Sequence, residues 1–188
     1  MKAYCINLAE RKDRWDKFTS QSFPFDVVRF DAIKGSSDGC LKSHLSVLSS
    51  CKDEILIMED DCHVLQDWKV FFDAYSQLPE DWSALYLGAI LHDKLERYSD
   101  NLFKLKRGWA THGILYSRKI ADYILKDGYP IIRLHKNYDN YMARVIQKKF
   151  KCFIIYPLFA TQYPDHSDII NAVRECADLI PRYENNTR

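Results

Sequence analysis

The chain carries at residues 55–61 the stretch Ile55-Leu56-Ile57-Met58-Glu59-Asp60-Asp61, in which an apolar run ends in three carboxylates. The four apolar residues predict a buried strand. Adjacent acids raise each other's pKa values, so they are stabilised mainly by a bound divalent ion or by a basic neighbour. Oxygen ligands favour Mg²⁺ or Mn²⁺ over zinc. A metal site therefore competes with a plainer interpretation, a solvated acidic turn after a core strand.

The segments on either side of this stretch alternate between short apolar strands and amphipathic helices. The pattern predicts strands over 3–8, 27–30, 55–58, 84–87, 102–106, 113–116 and 152–156, and helices over 11–20, 39–51, 67–78, 118–126 and 138–149. Residues 91–101 form a charged connector that we expect to be a loop, and the tail after residue 157 is expected to be irregular. The order predicts an α/β fold with a largely parallel, doubly wound sheet flanked by helices. Ligands of such sheets bind at the carboxyl ends of the strands.

Length and composition limit the class of protein. A chain of 188 residues with 47% hydrophobic and 14% aromatic content can bury one substantial core, so we expect a single domain over residues 1–188. The 27 basic and 26 acidic residues give a formal charge of +1. This balance provides no overall field that would attract nucleic acid or an anionic membrane.

The cysteines and the first residues indicate a compartment. The six cysteines form no CxxC pair, and their wide spacing favours reduced thiols over a zinc site or a disulfide framework. Charged residues 10–14 follow the first short apolar stretch directly and leave no room for a signal-peptide core. No later run reaches transmembrane length. We therefore expect a cytoplasmic protein without a membrane span.

Two polar segments lie where such a fold would place a site. Arg11 and Arg14 fall in the first turn of the predicted helix 11–20, where cations oppose the helix dipole. They are either solvent exposed or positioned to hold an anion. The helix before the acidic stretch begins at Asp38, a good N-cap, and has Ser43 and His44 in its early turns. Neighbouring helix residues point about 100° apart, so these two do not form a hydrolase pair, and we expect His44 to be a structural hydrogen-bonding residue.

Five groups of residues follow one another in an order that is typical of a known family. They are Ile6-Asn7-Leu8 with Arg11, Asp13 and Arg14; Gly39-Cys40 with Ser43-His44; Met58-Glu59-Asp60-Asp61; Thr111-His112-Gly113 leading to Tyr116-Ser117; and Gln162 with Ser167-Asp168-Ile169. Over most of its length the chain thus resembles glycosyltransferase family 25, which includes bacterial lipooligosaccharide glycosyltransferases and collagen galactosyltransferases. The resemblance implies a GT-A-like fold that transfers a sugar, commonly galactose, from a UDP-sugar to a hydroxyl of a glycan or protein acceptor with inversion.

The same resemblance implies roles for individual residues. The metal, Mn²⁺ or Mg²⁺, is expected at Asp61 and Glu59, with His166 as a further candidate ligand unless that side chain is simply exposed. The residues implied in donor binding are Asn7, Arg11, Arg14, Asp31, Ser43, Glu59, Asp60 and Gln162. The implied general base is Asp139, which opens the predicted helix 138–149 and could instead serve as its cap. If Asp139 only caps the helix, the candidates for the base are Asp60, His112 and Asp165.

Two other functions compete with sugar transfer. A Mg²⁺-dependent phosphatase with an aspartate nucleophile also places acids at a strand end, but Cys62-His63-Val64 supplies no hydroxyl to bind the phosphate. A catalytically silent sugar- or protein-binding member of the family would keep the fold and lose the base or the metal ligands. Intact Glu59, Asp61 and Asp139 favour an enzyme over that alternative.

Overall fold

A computed structural model describes residues 2–91 and 93–163, and describes only the backbone of residues 165–167 and 172–174. The strands are β1 (Lys2–Asn7), β2 (Val27–Asp31), β3 (Ile55–Glu59), β4 (Cys62–Val64), β5 (Ala84–Tyr86), β6 (Ile90–Leu91), β7 (Glu96–Arg97), β8 (Leu102–Lys104), β9 (Gly108–Trp109), β10 (Gly113–Tyr116), β11 (Cys152–Ile155), β12 (Ala160–Gln162), β13 (Asp165–Ser167) and β14 (Ala172–Arg174). The helices are α1 (Lys12–Thr19), α2 (Ser36–Ser50), α3 (Trp68–Ser76), α4 (Arg118–Arg133), α5 (Tyr138–Tyr141) and α6 (Gln147–Lys149), and a π-helical segment (Met142–Ile146) joins the last two.

The central sheet has eight strands in the order β2-β1-β3-β10-β5-β11-β8-β7. Strand β1 pairs in parallel with β2 and β3, and β5 pairs in parallel with β11. Strand β10 lies antiparallel between β3 and β5. Strand β8 pairs antiparallel with β11, and β7 pairs antiparallel with β8 as the last strand of the order. The sheet of the described residues is therefore mixed, and the predicted parallel arrangement holds only for β2-β1-β3 and for β5-β11.

Helices cover both faces of this sheet, as the predicted α/β pattern requires. Consecutive strand side chains point to opposite faces. In β3, Ile55 and Ile57 join a core cluster with residues of α2, α4 and α5, while Leu56 and Met58 join a second cluster with residues of α1 and α3. All four side chains are fully buried. This two-sided burial explains why β3 is a continuous apolar run and not an alternating one.

Several predicted elements differ in extent from the observed ones. The connector 91–101 is not a plain loop, because it contains the end of β6 and all of β7. The tail after residue 157 is not irregular throughout, because β12 pairs with β4 and sets Gln162 opposite Cys62. Helix α4 runs seven residues beyond its predicted end and is interrupted at Gly128, whose φ of 64° favours glycine. Among the described residues no helix has the length and apolar character needed to cross a membrane.

The register of the central strands fixes the location of the acidic stretch. Asn7 pairs with Asp31, and Ile6 pairs with Glu59, so the carboxyl ends of β1, β2 and β3 lie at one edge of the sheet. The backbone N–H of Asp60 donates to the carbonyl of Ile6 over 3.1 Å. The polar residues that follow these strands are therefore brought to the same place, as predicted for ligand sites in such sheets.

Candidate functional site

A cavity of about 200 Å³ opens at this edge of the sheet. Its polar and ionisable lining residues include Arg14, Cys40, Ser43, His44, Glu59, Asp60, Asp61, Thr111, Asn137, Asp139 and Gln162. Small-molecule sites usually measure about 300–1,000 Å³, so the cavity encloses only part of a larger ligand. Residues that are far apart in the sequence thus meet around one acidic recess.

Glu59 ends β3 and is fixed by hydrogen bonds. Its Oε1 accepts a hydrogen bond from Thr111 Oγ1 over 2.7 Å and one from His44 Nε2 over 3.1 Å. Burial by itself raises the pKa of Glu59, but the hydrogen bonds and the electrostatic interaction with His44 outweigh it and hold the pKa below its usual range. Glu59 is therefore an ionised carboxylate, and His44 is the structural hydrogen-bonding residue predicted from the sequence.

Asp60 is held by the first βα unit. Its Oδ1 accepts a hydrogen bond from the Arg14 guanidinium over 3.0 Å, and its Oδ2 accepts one from Asn7 Nδ2 over 2.7 Å. The two side chains of the ion pair are only 11% and 9% exposed. Burial raises the pKa of Asp60, and Arg14 opposes that shift. Arg14 is thus a basic neighbour of the acidic stretch, one of the two cationic partners considered from the sequence.

Asp61 is the carboxylate with capacity left for a cation. Its Oδ2 accepts a hydrogen bond from Gln162 Nε2 over 2.9 Å, while its Oδ1 is buried and has no hydrogen-bond partner among the described residues. Burial raises the pKa of Asp61, and the charges of Glu59 and Asp60 raise it further. A buried acceptor without a donor is costly unless something satisfies it. A divalent cation would satisfy the oxygen and reverse the shift in pKa.

Ser43, Arg11 and Asp31 also belong to the expected donor-binding set, but their surroundings differ from those of the acidic stretch. Ser43 lines the cavity, but its hydroxyl accepts from the backbone N–H of Ile33 and donates to the carbonyl of Gly39, both over 2.8 Å. Arg11 pairs with Asp13 over 2.9 Å and is not among the described residues that line the cavity.

Asp31 also lies outside the cavity lining formed by the described part of the chain. Its side chain is 75% exposed, and one carboxylate oxygen lies 3.6 Å from Arg29 Nη2. An exposed pair of this kind contributes little to stability. Its place at the end of β2, beside Asn7, keeps it at the correct edge of the sheet.

Asp139 lines the cavity from the first turn of α5, together with Asn137. The N-cap of α5 is Asn137, whose Oδ1 accepts a hydrogen bond from the backbone N–H of Asn140 over 2.8 Å. The alternative in which Asp139 caps this helix is therefore wrong, because the asparagine two residues earlier has that role. The side chains of His166 and Asp165 lie outside the described residues.

Three residues that shape the site were given no individual role from the sequence, although Cys40 and Thr111 belong to the groups that carry the family resemblance. Thr111 holds Glu59, Cys40 lines the cavity one helical turn before His44, and the Tyr138 ring lies 4.6 Å from the His44 ring, measured between centroids. The spacing of Cys40 and His44 by four residues was a usable signal, because it puts both side chains on one face of α2. The approach of Thr111 and Tyr138 depends on tertiary packing and has no local signal.

Comparisons with known proteins leave the family open. No protein-family model matches the chain, and no curated protein matches it. A solved structure, mannose-1-phosphate geranyltransferase from Thermus thermophilus, is similar with 8% sequence identity and a TM-score of 0.46 over 81% of this chain. The match covers 58% of that protein's chain, so the two are alike over less than two thirds of its length. At this level of similarity, function has to be inferred from the side chains of the cavity.

Proposed function

We propose that the chain is a metal-dependent inverting glycosyltransferase with a GT-A-like fold, similar to glycosyltransferase family 25. It moves a sugar, commonly galactose in that family, from a UDP-sugar to a hydroxyl of a glycan or protein acceptor. The observation that carries the proposal is the buried Oδ1 of Asp61, which has no hydrogen-bond partner among the described residues and lies in one cavity with Asp139. The proposal thus combines a cation ligand and a candidate base in one recess.

The donor set around Asp61 fits a hard divalent ion. Mg²⁺ and Mn²⁺ prefer carboxylate oxygen ligands, and Asp61 offers one at the carboxyl end of a central strand. Gln162 fixes the other oxygen of Asp61, so the carboxylate is already oriented. Asp60 is neutralised by Arg14, while the Oδ1 of Asp61 has no hydrogen-bond partner among the described residues, which makes Asp61 the best direct ligand for a hard ion. A bound ion would supply charge neutralisation to the departing diphosphate.

Asp139 is the base in this proposal. It takes the proton from the acceptor hydroxyl while that oxygen forms a bond to the anomeric carbon of the sugar. The bond between the anomeric carbon and the phosphate oxygen breaks on the opposite face, and UDP leaves with the electron pair. Asn137 caps α5, so Asp139 is not needed as a helix cap and is available to act as the base.

The proposed activity is tested by incubating the protein with Mn²⁺ and a panel of UDP-sugars, with and without glycan acceptors, and by measuring the UDP released. We expect UDP release that requires the metal and that is greatest with one preferred UDP-sugar. The exposed Asp73→Asn on α3 serves as a surface control and should behave like the parent. Binding of UDP without turnover would instead identify a silent member of the fold, and release of inorganic phosphate from a phosphomonoester would identify a phosphatase.

A further inference from the structure

A second group of potential metal ligands lies in the wall of the same cavity and has a different chemistry. The Sγ of Cys40, one imidazole nitrogen of His44 and one carboxylate oxygen of Glu59 all lie within 4.8 Å of one another. The first two residues come from one face of α2 and the third from the end of β3. Sulfur and imidazole nitrogen are ligands for zinc-class ions, whereas Asp61 offers only oxygen.

We propose that Cys40, His44 and Glu59 form a binding site for Zn²⁺ or a similar borderline ion such as Co²⁺. The ion binds through one sulfur, one nitrogen and one oxygen, and a water molecule or a ligand group takes the fourth position. The site does not depend on sugar transfer and is separate from the oxygen ligand at Asp61.

The ligand atoms are close to the spacing that a tetrahedral ion requires. Zinc binds sulfur at about 2.3 Å and nitrogen or oxygen at about 2.0 Å, which puts neighbouring ligand atoms about 3.3 to 3.6 Å apart. The contact of His44 Nε2 with Glu59 Oε1 is already 3.1 Å. To bind one ion together, the three ligand atoms therefore need a movement of roughly an ångström by the Sγ of Cys40. A change in side-chain torsion can supply a movement of this size.

The surroundings hold two of the ligands in place. His44 is fully buried, and the Tyr138 ring packs against its imidazole. Thr111 donates a hydrogen bond to the Glu59 carboxylate. Partners of this kind orient the ligands of metal sites and raise their affinity. The Nδ1 of His44 is buried and has no hydrogen-bond partner among the described residues, so it can carry the imidazole proton while Nε2 binds the ion.

Access and proton balance are also satisfied. Cys40 is partly exposed and lines the cavity, so an ion can reach it from solvent. Binding displaces the thiol proton of Cys40 to solvent, and the imidazole proton of His44 moves from Nε2 to Nδ1, so that the thiolate and Nε2 can bond to the metal. No change in oxidation state takes place, so no further reactant is needed.

The test uses the full-length, reduced protein after removal of metals. Addition of Co²⁺ should produce one equivalent of a thiolate-to-cobalt charge-transfer absorption, and Zn²⁺ should abolish it by competition. Cys40→Ser should remove this absorption, and Glu59→Gln should weaken zinc affinity at least tenfold. Cys51→Ala, at the residue that directly follows α2, is the matched control and should retain the absorption. Zn²⁺ should also raise the melting temperature of the parent and not that of Cys40→Ser.

Asp61→Asn separates this site from the one in the proposed function. It should keep the cobalt absorption even if it loses metal-dependent UDP binding. Circular dichroism of each variant shows whether it is folded, and Cys40→Ala replaces Cys40→Ser if the serine variant is not. The proposal is overturned if the folded parent gives no charge-transfer band, or if the band persists undiminished in the folded Cys40 variant.

Discussion

The three adjacent carboxylates of residues 59–61 have different environments because each one contacts different side chains. Glu59 accepts from a threonine and a histidine, Asp60 is paired with an arginine, and Asp61 keeps a buried oxygen with no donor among the described residues. The mutual repulsion of the three carboxylates, which was expected from the sequence, therefore affects their pKa values differently. The pKa of Glu59 falls while those of Asp60 and Asp61 rise. The residue whose charge is least compensated by the protein is the one best placed to gain from a cation.

The first prediction concerns Asp61. Asp61→Asn keeps the size of the side chain and its contact with Gln162 in a flipped form, but removes the negative charge that would hold a divalent ion. We expect metal-dependent UDP binding to weaken at least tenfold, measured by calorimetric titration in Mn²⁺. Equal affinity of variant and parent for both UDP and metal would show that this carboxylate is not the ligand.

The second prediction concerns Asp139. Because Asn137 caps α5, Asp139→Asn should fold normally and bind UDP almost as tightly as the parent. Loss of the proposed base should reduce sugar transfer about a hundredfold or more. Steady-state transfer rates and UDP titrations check the two parts separately. Transfer within a few-fold of the parent would return the search for a base to Asp60, His112 or Asp165.

The third prediction contrasts Arg14 with Arg11. Arg14→Ala leaves the buried Asp60 without its cation and should lower the free energy of unfolding by about 3 kcal/mol. Arg11→Ala removes a pair whose carboxylate partner, Asp13, is 64% exposed, and should cost at most about 1 kcal/mol. Urea unfolding measures both values.

Titration of the two variants with UDP tests the expected role of these arginines in donor binding. A lost phosphate contact should weaken UDP binding by about 1.5 to 3 kcal/mol. Since Arg14 lines the cavity and Arg11 does not lie among its described lining residues, we expect the larger loss in Arg14→Ala. Unchanged UDP affinity in both variants would leave only the structural pair with Asp60.

At the scale of elements, the start of α2 depends on a close approach between Gly39 and the backbone of the segment that follows β2. A Cβ added to Gly39 would lie 2.2 Å from the backbone oxygen of Ile33 and 2.7 Å from the backbone carbon of Lys34. This proximity lets the Ser43 hydroxyl reach the N–H of Ile33 and ties the segment after β2 to the cavity wall. Glycine in a helix normally lowers stability, so a packing requirement has to explain it here.

The fourth prediction follows from that contact. Alanine is the better helix former, yet Gly39→Ala should lower the free energy of unfolding by about 3 kcal/mol because backbone atoms have to move to admit the methyl group. The exposed Ser49→Ala on the same helix should change it by less than about 0.5 kcal/mol. Thermal unfolding followed by circular dichroism compares them. A Gly39→Ala variant as stable as the parent would contradict the observed approach.

At the scale of the molecule, the sheet separates two apolar clusters that share its strands. Phe71 on α3 belongs to one cluster and Ile124 on α4 to the other, and both side chains are fully buried. A single sheet that supplies both clusters couples their stability. This arrangement is the basis for expecting one cooperative unit.

The fifth prediction tests that coupling. Phe71→Ala and Ile124→Ala should each lower the free energy of unfolding by about 2 to 5 kcal/mol. Both should shift the same single transition in urea, observed by circular dichroism and by tryptophan fluorescence. Two separate transitions, each sensitive to only one variant, would show that the chain is not a single domain.

The sequence by itself determined the elements whose signals are local. The apolar run 55–58 predicted a buried strand, and the helical periods before and after it placed α1, α2 and α3 to within a few residues. The acids that end the run also indicated a cation nearby, either a metal or a basic residue, although a solvated acidic turn remained a competing interpretation. These features depend on burial and hydrogen bonding within a few residues, so composition and spacing are enough to predict them.

The tertiary structure alone decided which distant residues meet. The direction of β10 between β3 and β5, the pairing of β12 with β4, and the choice of Arg14 as the partner of Asp60 depend on how connections cross the sheet. The approach of Cys40 and His44 to Glu59 likewise joins a helix to a strand that follows it. Strand direction and long-range contact are set by the packing of whole elements, and no local pattern in the sequence encodes them.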